Sequence, residues 1–297
     1  MKRFQVIPEN YLCRKYTNPE EHLMRANQLI NQNTSKYDNT KDYKKMFSLI
    51  DYTTLDVADT KKKVEKMVEF VNKFKETHPT IPPVAAICVY PPFVSLIREK
   101  LTNKEVGIAC VTGGFPASQT LLEVKFLETK IALDAGATEI DIVLPVGKFL
   151  EQRFEEIFQE ISMLKQLCGK RHLKVILEVD SLKDYNLIYN ASMLSMDAGA
   201  DFIKTSTGKV DRDSAAFESR LLVMCDAIKE FNAKHGVKIA LKPAGGMKTA
   251  EHALRIYTLV SEALGAEYQS KELFRLGASS LADALIKKIK SGSVSII

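Results

Sequence analysis

From residue 46 onward, short apolar runs alternate with longer segments whose apolar positions recur every three or four residues. The runs cover residues 46–50, 84–89, 106–111, 139–144, 173–179, 201–204, 237–241 and 273–276, lengths that predict strands. Helical periodicity occupies residues 60–75, 118–134, 154–167, 184–196, 213–234, 250–264 and 278–289, with a shorter helix after Pro92. Asp59-Thr60 and Asp213-Ser214 read as helix starts, while Gly136, Gly169, Gly199, Gly236 and Gly265 follow helix ends. Eight strand–helix units predict an α/β fold, the closed (β/α)8 TIM barrel, whose usual size is about 250 residues. A doubly wound open sheet is the runner-up. Ahead of the barrel, which would span 45–297, residues 1–44 predict an N-terminal helical extension. It comprises an amphipathic stretch at 20–30 and a flexible polar joint at 31–42.

Side chains alternate along a strand, and this separates two faces. Ile140, Ile142 and Leu144, Val175 and Leu177, and Val237, Ile239 and Leu241 would pack under the helices. The opposite faces carry Asp141, Glu178, Lys204 and Lys242 near their strands' C-terminal ends. Asp51 is expected to end the first strand and Thr112 the third. Barrel active sites are built at that end. A lone lysine there is more often a solvated surface group, but six polar strand ends in register read as a site.

Composition narrows the function classes. A net charge of +5, with basic and acidic residues interleaved, fits small anions better than nucleic acid, which calls for a clustered basic stripe. The five cysteines, Cys13, Cys88, Cys110, Cys168 and Cys225, form no C-x-x-C pair, which argues against structural zinc or a disulfide framework. The five histidines form no ligand cluster, and no metal or other cofactor is expected. There is no apolar signal-peptide core and no run of about 20 apolar residues. A cytoplasmic protein without a membrane partner is therefore expected. A homo-oligomer is compatible with the sequence, which does not specify the assembly.

A buried lysine amine that has lost its proton attacks carbonyl carbon to give a Schiff base. Lys204 is the candidate nucleophile, and Lys242 is the second cation that would keep it neutral. Asp141 is the candidate acid/base group, its alternative being a structural ion pair. A second constellation lies on three consecutive loops: Gly208-Lys209, Gly245-Gly246 and Ser279-Ser280. Glycines let backbone N–H groups approach an anion, and the serines open the last helix, so the set predicts a phosphate site. The stretch Thr205-Ser206-Thr207-Gly208-Lys209-Val210 is not a nucleotide P-loop, because Ile203 and Val210 stand where that motif needs Gly and Ser/Thr.

Phe202-Ile203-Lys204-Thr205-Ser206-Thr207-Gly208-Lys209 and Lys242-Pro243-Ala244-Gly245-Gly246 resemble the two lysine motifs of the deoxyribose-phosphate aldolase family. Ile50-Asp51-Tyr52-Thr53-Thr54-Leu55, Ala86-Ile87-Cys88-Val89-Tyr90-Pro91, Glu139-Ile140-Asp141-Ile142-Val143 and Phe274-Arg275-Leu276-Gly277-Ala278-Ser279-Ser280 recur in the same order, so the resemblance covers roughly 45–290. It implies a metal-free class I aldolase that cleaves 2-deoxy-D-ribose 5-phosphate to D-glyceraldehyde 3-phosphate and acetaldehyde in deoxyribonucleoside breakdown. Lys204 would form the Schiff base, Asp141 would move protons with a water, and Lys242 would depress the amine's pKa. Gly208, Lys209, Gly245, Gly246, Ser279 and Ser280 would hold the phosphate, with Asp51 and Thr53 supporting the lysines or sugar hydroxyls. Two features depart from the bacterial pattern: the first 40 or so residues, and a closing Ser-Gly-Ser-Val-Ser-Ile-Ile without the tyrosine that assists proton transfer there. The alternatives are another Schiff-base phosphosugar aldolase or transaldolase, and a non-catalytic phosphosugar-binding barrel.

Overall fold

The computed structural model describes residues 11–12, 15–210 and 216–292. Helices α1 (Pro19–Tyr37) and α2 (Thr40–Ser48) lead into β1 (Ile50–Thr53), α3 (Lys61–Thr77), β2 (Ala86–Val89), α4 (Val94–Lys100) and β3 (Gly107–Val111). Next come α5 (Leu122–Asp134), β4 (Glu139–Val143), α6 (Val146–Leu150), α7 (Phe154–Cys168), β5 (His172–Ile176), α8 (Val179–Leu182) and α9 (Tyr185–Asp197). The chain continues through β6 (Phe202–Lys204), α10 (Phe217–His235), β7 (Ala240–Lys242), α11 (Ala250–Leu264), β8 (Leu276–Ala278) and α12 (Leu281–Gly292).

All eight strands are parallel and pair in sequence order, and β1 also pairs with β8. Parallel bridges Leu241↔Phe274 and Ala244↔Gly277 close the ring between β7 and β8. The expected TIM barrel is the fold. Ile140, Ile142, Val175, Leu177, Ile239 and Leu241 are buried outside the ring, under the helices. A smaller apolar cluster of Leu55, Ala86, Cys88, Ala109 and Val111 packs separately from that core, with Tyr90 and Phe115 against it.

The N-terminal segment departs from expectation. Residues 31–37 form no joint; they are the C-terminal part of α1. Asn33 and Thr34 turn their side chains back onto the carbonyls of Leu29 and Ile30, at 2.8 and 2.6 Å. What makes a polar stretch helical here is packing, which overrides weak propensity. Ala26 and Ile30 are fully buried, Arg25 grips Asp226 of α10 through two hydrogen bonds, and Lys36 and Tyr37 both reach Glu262 of α11.

Residues 46–48 also belong to a helix rather than the first strand. Tyr43, Met46 and Phe47 have helical spacing and are buried together, and Asn39 caps α2 through Asp42 N–H at 3.0 Å. The seventh and eighth strands start later than their apolar runs, which leaves Lys238 on the surface paired with Glu267. The fifth ends at Ile176, and Glu178 turns the chain with a left-handed φ of 55°. The fifth helix begins at Leu122 rather than 118. Cys13, the Asp213-Ser214 helix start and residues 293–297 lie outside the described residues.

Candidate active site

Lys204 and Lys242 are register partners on adjacent strands, so the pleat points both into the barrel. Asp141, in register with Lys174 of β5, meets them there. Its Oδ2 accepts from Lys204 Nζ at 2.9 Å and from Lys242 Nζ at 2.8 Å, and its Oδ1 accepts from Lys174 Nζ at 2.8 Å. Asp51 is not a strand end; it is the second residue of β1 and lies deeper, with Oδ2 2.5 Å from Lys242 Nζ and 3.4 Å from Lys174 Nζ. Gly277 makes this approach possible, since a Cβ there would sit 3.2 Å from Lys242 Cε and 2.8 Å from Ala244 Cβ.

Burial and charge act on these groups in opposite senses. Burial lowers the Lys204 amine below its usual value of 10.5; Asp141 opposes that and Lys242 reinforces it. For Lys242, burial also lowers, but Asp141 and Asp51 overcome it, and the net direction is up. Lys174 rises for the same reason, through Asp141, Glu139 and Asp51. Burial alone would raise Asp141, yet the surrounding lysines hold it well below the usual carboxylate range. Of the three lysines around Asp141, one is driven toward the neutral amine and two are held as ammonium ions.

Above this floor opens a cleft of about 690 Å³. Thr53, Lys204, Gly208, Lys209, Gly245, Gly246, Ser279 and Ser280 all line it, whereas Asp51 lies beneath. Gly208 and Gly245 both have positive φ, 78° and 86°, and a Cβ added to either would lie within 3.8 Å of the other's backbone. The two loops thus run close enough that a side chain on either glycine would reach the other's backbone. Lys209 Nζ bonds the Leu55 carbonyl, and Thr53 Oγ1 donates to the Asp51 carbonyl at 2.7 Å. Glu178 holds the β6 loop, accepting from Thr207 N at 3.2 Å and Thr207 Oγ1 at 2.5 Å.

Thr112 turns away from the cleft, bonding Thr129 of α5 at 2.8 Å. Three participants escaped the sequence reading: Lys174, Glu139 and Arg275. Glu139 takes Lys174 at 2.5 Å and two nitrogens of Arg275, at 3.1 and 2.9 Å; Arg275 also donates to Asp51 at 2.7 Å. The available signal was parity: Lys174 shares a strand face with Glu178, as Glu139 does with Asp141. The four described cysteines are buried and free; burial raises the Cys168 thiol to about 12.

A family model described as DeoC/LacD family aldolase matches residues 45–284. The deoxyribose-phosphate aldolase of Homo sapiens is 38% identical over 255 residues, 82% of this chain and 80% of its own. That of Bos taurus matches at 38% with the same coverage. A solved structure described as a tetrameric deoxyribose phosphate aldolase from Aeropyrum pernix superposes with a TM-score of 0.66 at 25% identity, covering 89% of this chain and 98% of that one.

Proposed function

This chain belongs to the DeoC/LacD aldolase family, and on that premise we infer that it cleaves 2-deoxy-D-ribose 5-phosphate to D-glyceraldehyde 3-phosphate and acetaldehyde. It is a carbon–carbon lyase. The observation that carries the site assignment is the meeting of Lys204 and Lys242 at one oxygen of Asp141, at the floor of an open cleft. A neutral amine at position 204 adds to the C1 aldehyde, and loss of water leaves the protonated imine. That imine withdraws electrons as the C2–C3 bond breaks and the C3 hydroxyl gives up its proton. Glyceraldehyde 3-phosphate departs, the enamine is protonated at C2, and hydrolysis releases acetaldehyde and the amine.

Asp141 stays ionised among its lysines, so it serves as a relay between the Lys242 ammonium and a water at the substrate rather than as a proton store. The phosphate would sit against Gly208, Lys209, Gly245, Gly246, Ser279 and Ser280, where loop N–H groups and the start of α12 favour an anion. Thr53 lines the sugar end, and Asp51 supports Lys242 from below. Residues 45–297 would constitute the catalytic barrel and 1–44 its extension, although α2 spans that boundary.

Among the described residues no helix is long and apolar enough to cross a membrane. A cytoplasmic site of action fits the phosphorylated substrate and the four free thiols. The tetramer named for the A. pernix protein supports a homo-oligomer. Borohydride reduction in the presence of deoxyribose 5-phosphate should leave one adduct, on Lys204. Labelling at another lysine, or no acetaldehyde in a coupled assay, would refute the assignment.

A further inference from the structure

Six buried charges inside the barrel form a closed ring of alternating sign. Asp141 Oδ2 meets Lys242 at 2.8 Å, Lys242 meets Asp51 at 2.5 Å, and Asp51 meets Arg275 at 2.7 Å. Arg275 then meets Glu139 at 2.9 Å, Glu139 meets Lys174 at 2.5 Å, and Lys174 returns to Asp141 at 2.8 Å. The members come from β1, β4, β5, β7 and the residue before β8, so only a closed barrel can assemble them. None is more than 7% exposed at its side chain.

Three carboxylates and three cations make the ring neutral. Among the described residues, Lys204 hangs outside it, paired with Asp141 alone at 2.9 Å. A fourth cation, the Lys204 ammonium, would be a surplus buried charge, which is costly unless its proton leaves. Arg275 cannot release a proton under ordinary conditions, and Lys174 and Lys242 each face two or more carboxylates. The surplus is therefore relieved at Lys204. Other groups acting on that amine are the Cys88 thiol from β2 and Glu178 beyond β5.

We propose that Arg275 and Glu139 are positioning residues for the aldol reaction: by balancing the ring from the side away from the nucleophile, they determine the pH at which Lys204 becomes a free amine. Neither residue lines the cleft, so neither is expected to touch substrate. The proposal rests on Lys204 being the Schiff-base lysine.

The sign is opposite for the two residues. Arg275→Met leaves the ring one unit negative, which holds the proton on Lys204. Glu139→Gln leaves it one unit positive, which expels that proton. A unit charge about 10 Å away, at an effective dielectric of about 20, moves a pKa by roughly one unit. The experiment is the pH dependence of kcat/KM for deoxyribose 5-phosphate cleavage in the full-length protein, with borohydride trapping alongside. The acid limb should move up by about one pH unit in Arg275→Met, a roughly tenfold loss at the foot of the wild-type limb. It should move down in Glu139→Gln, and it should stay near the wild-type position in Arg275→Lys and in the double variant Glu139→Gln/Arg275→Met.

Coincident limbs in all variants would overturn the proposal, as would Arg275→Lys shifting like Arg275→Met, since that would make the effect one of packing. If Arg275→Met fails to fold, Glu139→Gln decides alone: an unmoved limb is fatal. Failure of the Schiff-base assignment is a separate outcome, read as wild-type trapping at a residue other than Lys204.

Discussion

Lys204 and Lys242 face each other across one strand gap and donate to a single carboxylate oxygen, Asp141 Oδ2, at 2.9 and 2.8 Å. Two ammonium ions at one acceptor repel each other, and the one with fewer anionic neighbours yields. Lys242 has Asp51 as well, so Lys204 yields.

Removing Lys242 should let Lys204 keep its proton. Lys242→Met deletes the second influence, after burial, that lowers the amine's pKa. Cleavage at neutral pH is expected to fall at least about 100-fold, the size of a lost proton-transfer partner. Because the amine must be neutral to react, raising the pH should recover part of the loss. A pH–rate profile with circular dichroism to check the fold tests this; a loss that is equal at every pH would point to a damaged pocket instead.

The activated amine should cost stability. Its folded pKa lies below the unfolded value of 10.5, so the native state disfavours the bound proton. The penalty is in full force below the folded pKa and fades as pH rises toward 10.5. Lys204→Met, which leaves the neutral ring intact, should abolish trapping and cleavage while raising Tm at neutral pH by a few degrees. A large fall in Tm would contradict this account.

The glycine contact between the β6 and β7 loops should matter for the phosphate. Gly245→Ala would force a side chain at φ 86°, a strain of about 1–2 kcal/mol, with its Cβ 3.5 Å from Ser206 Cβ. KM for deoxyribose 5-phosphate should rise about tenfold or more, while cleavage of unphosphorylated deoxyribose changes little. Equal losses on both substrates would argue that this loop does not hold the phosphate.

Helix α1 should be part of the fold's stability and not of its chemistry. Ile30 is fully buried in the core, and its replacement by Ala typically costs about 2–5 kcal/mol. For a chain of this size that corresponds to a drop in Tm of roughly 5 °C or more. Ile30→Ala should leave kcat/KM unchanged at temperatures where the protein is folded; a selective loss of activity would implicate the extension in catalysis.

Two physical rules made much of the molecule legible from its residues. The period of two along strands separates Ile140 and Ile142 from Asp141, so the sequence by itself determined the repeating strand–helix order and the inward face that carries Asp141, Lys204 and Lys242. Glycines on the loops after the sixth and seventh strands, with Ser279-Ser280 at the start of the last helix, likewise marked the loops proposed to hold the phosphate. Tertiary structure alone decided the rest, because its causes are long-range. Residues 31–37 are polar, and only the helices waiting to receive Ile30 and Tyr37 make them helical. Lys174 and Arg275 look like ordinary solvated cations until strands far apart in sequence close into a cylinder and bring Asp51, Glu139 and Asp141 within 3 Å of them. A buried charge is tolerable only beside its countercharge. Local pattern cannot supply that partner, and barrel closure does.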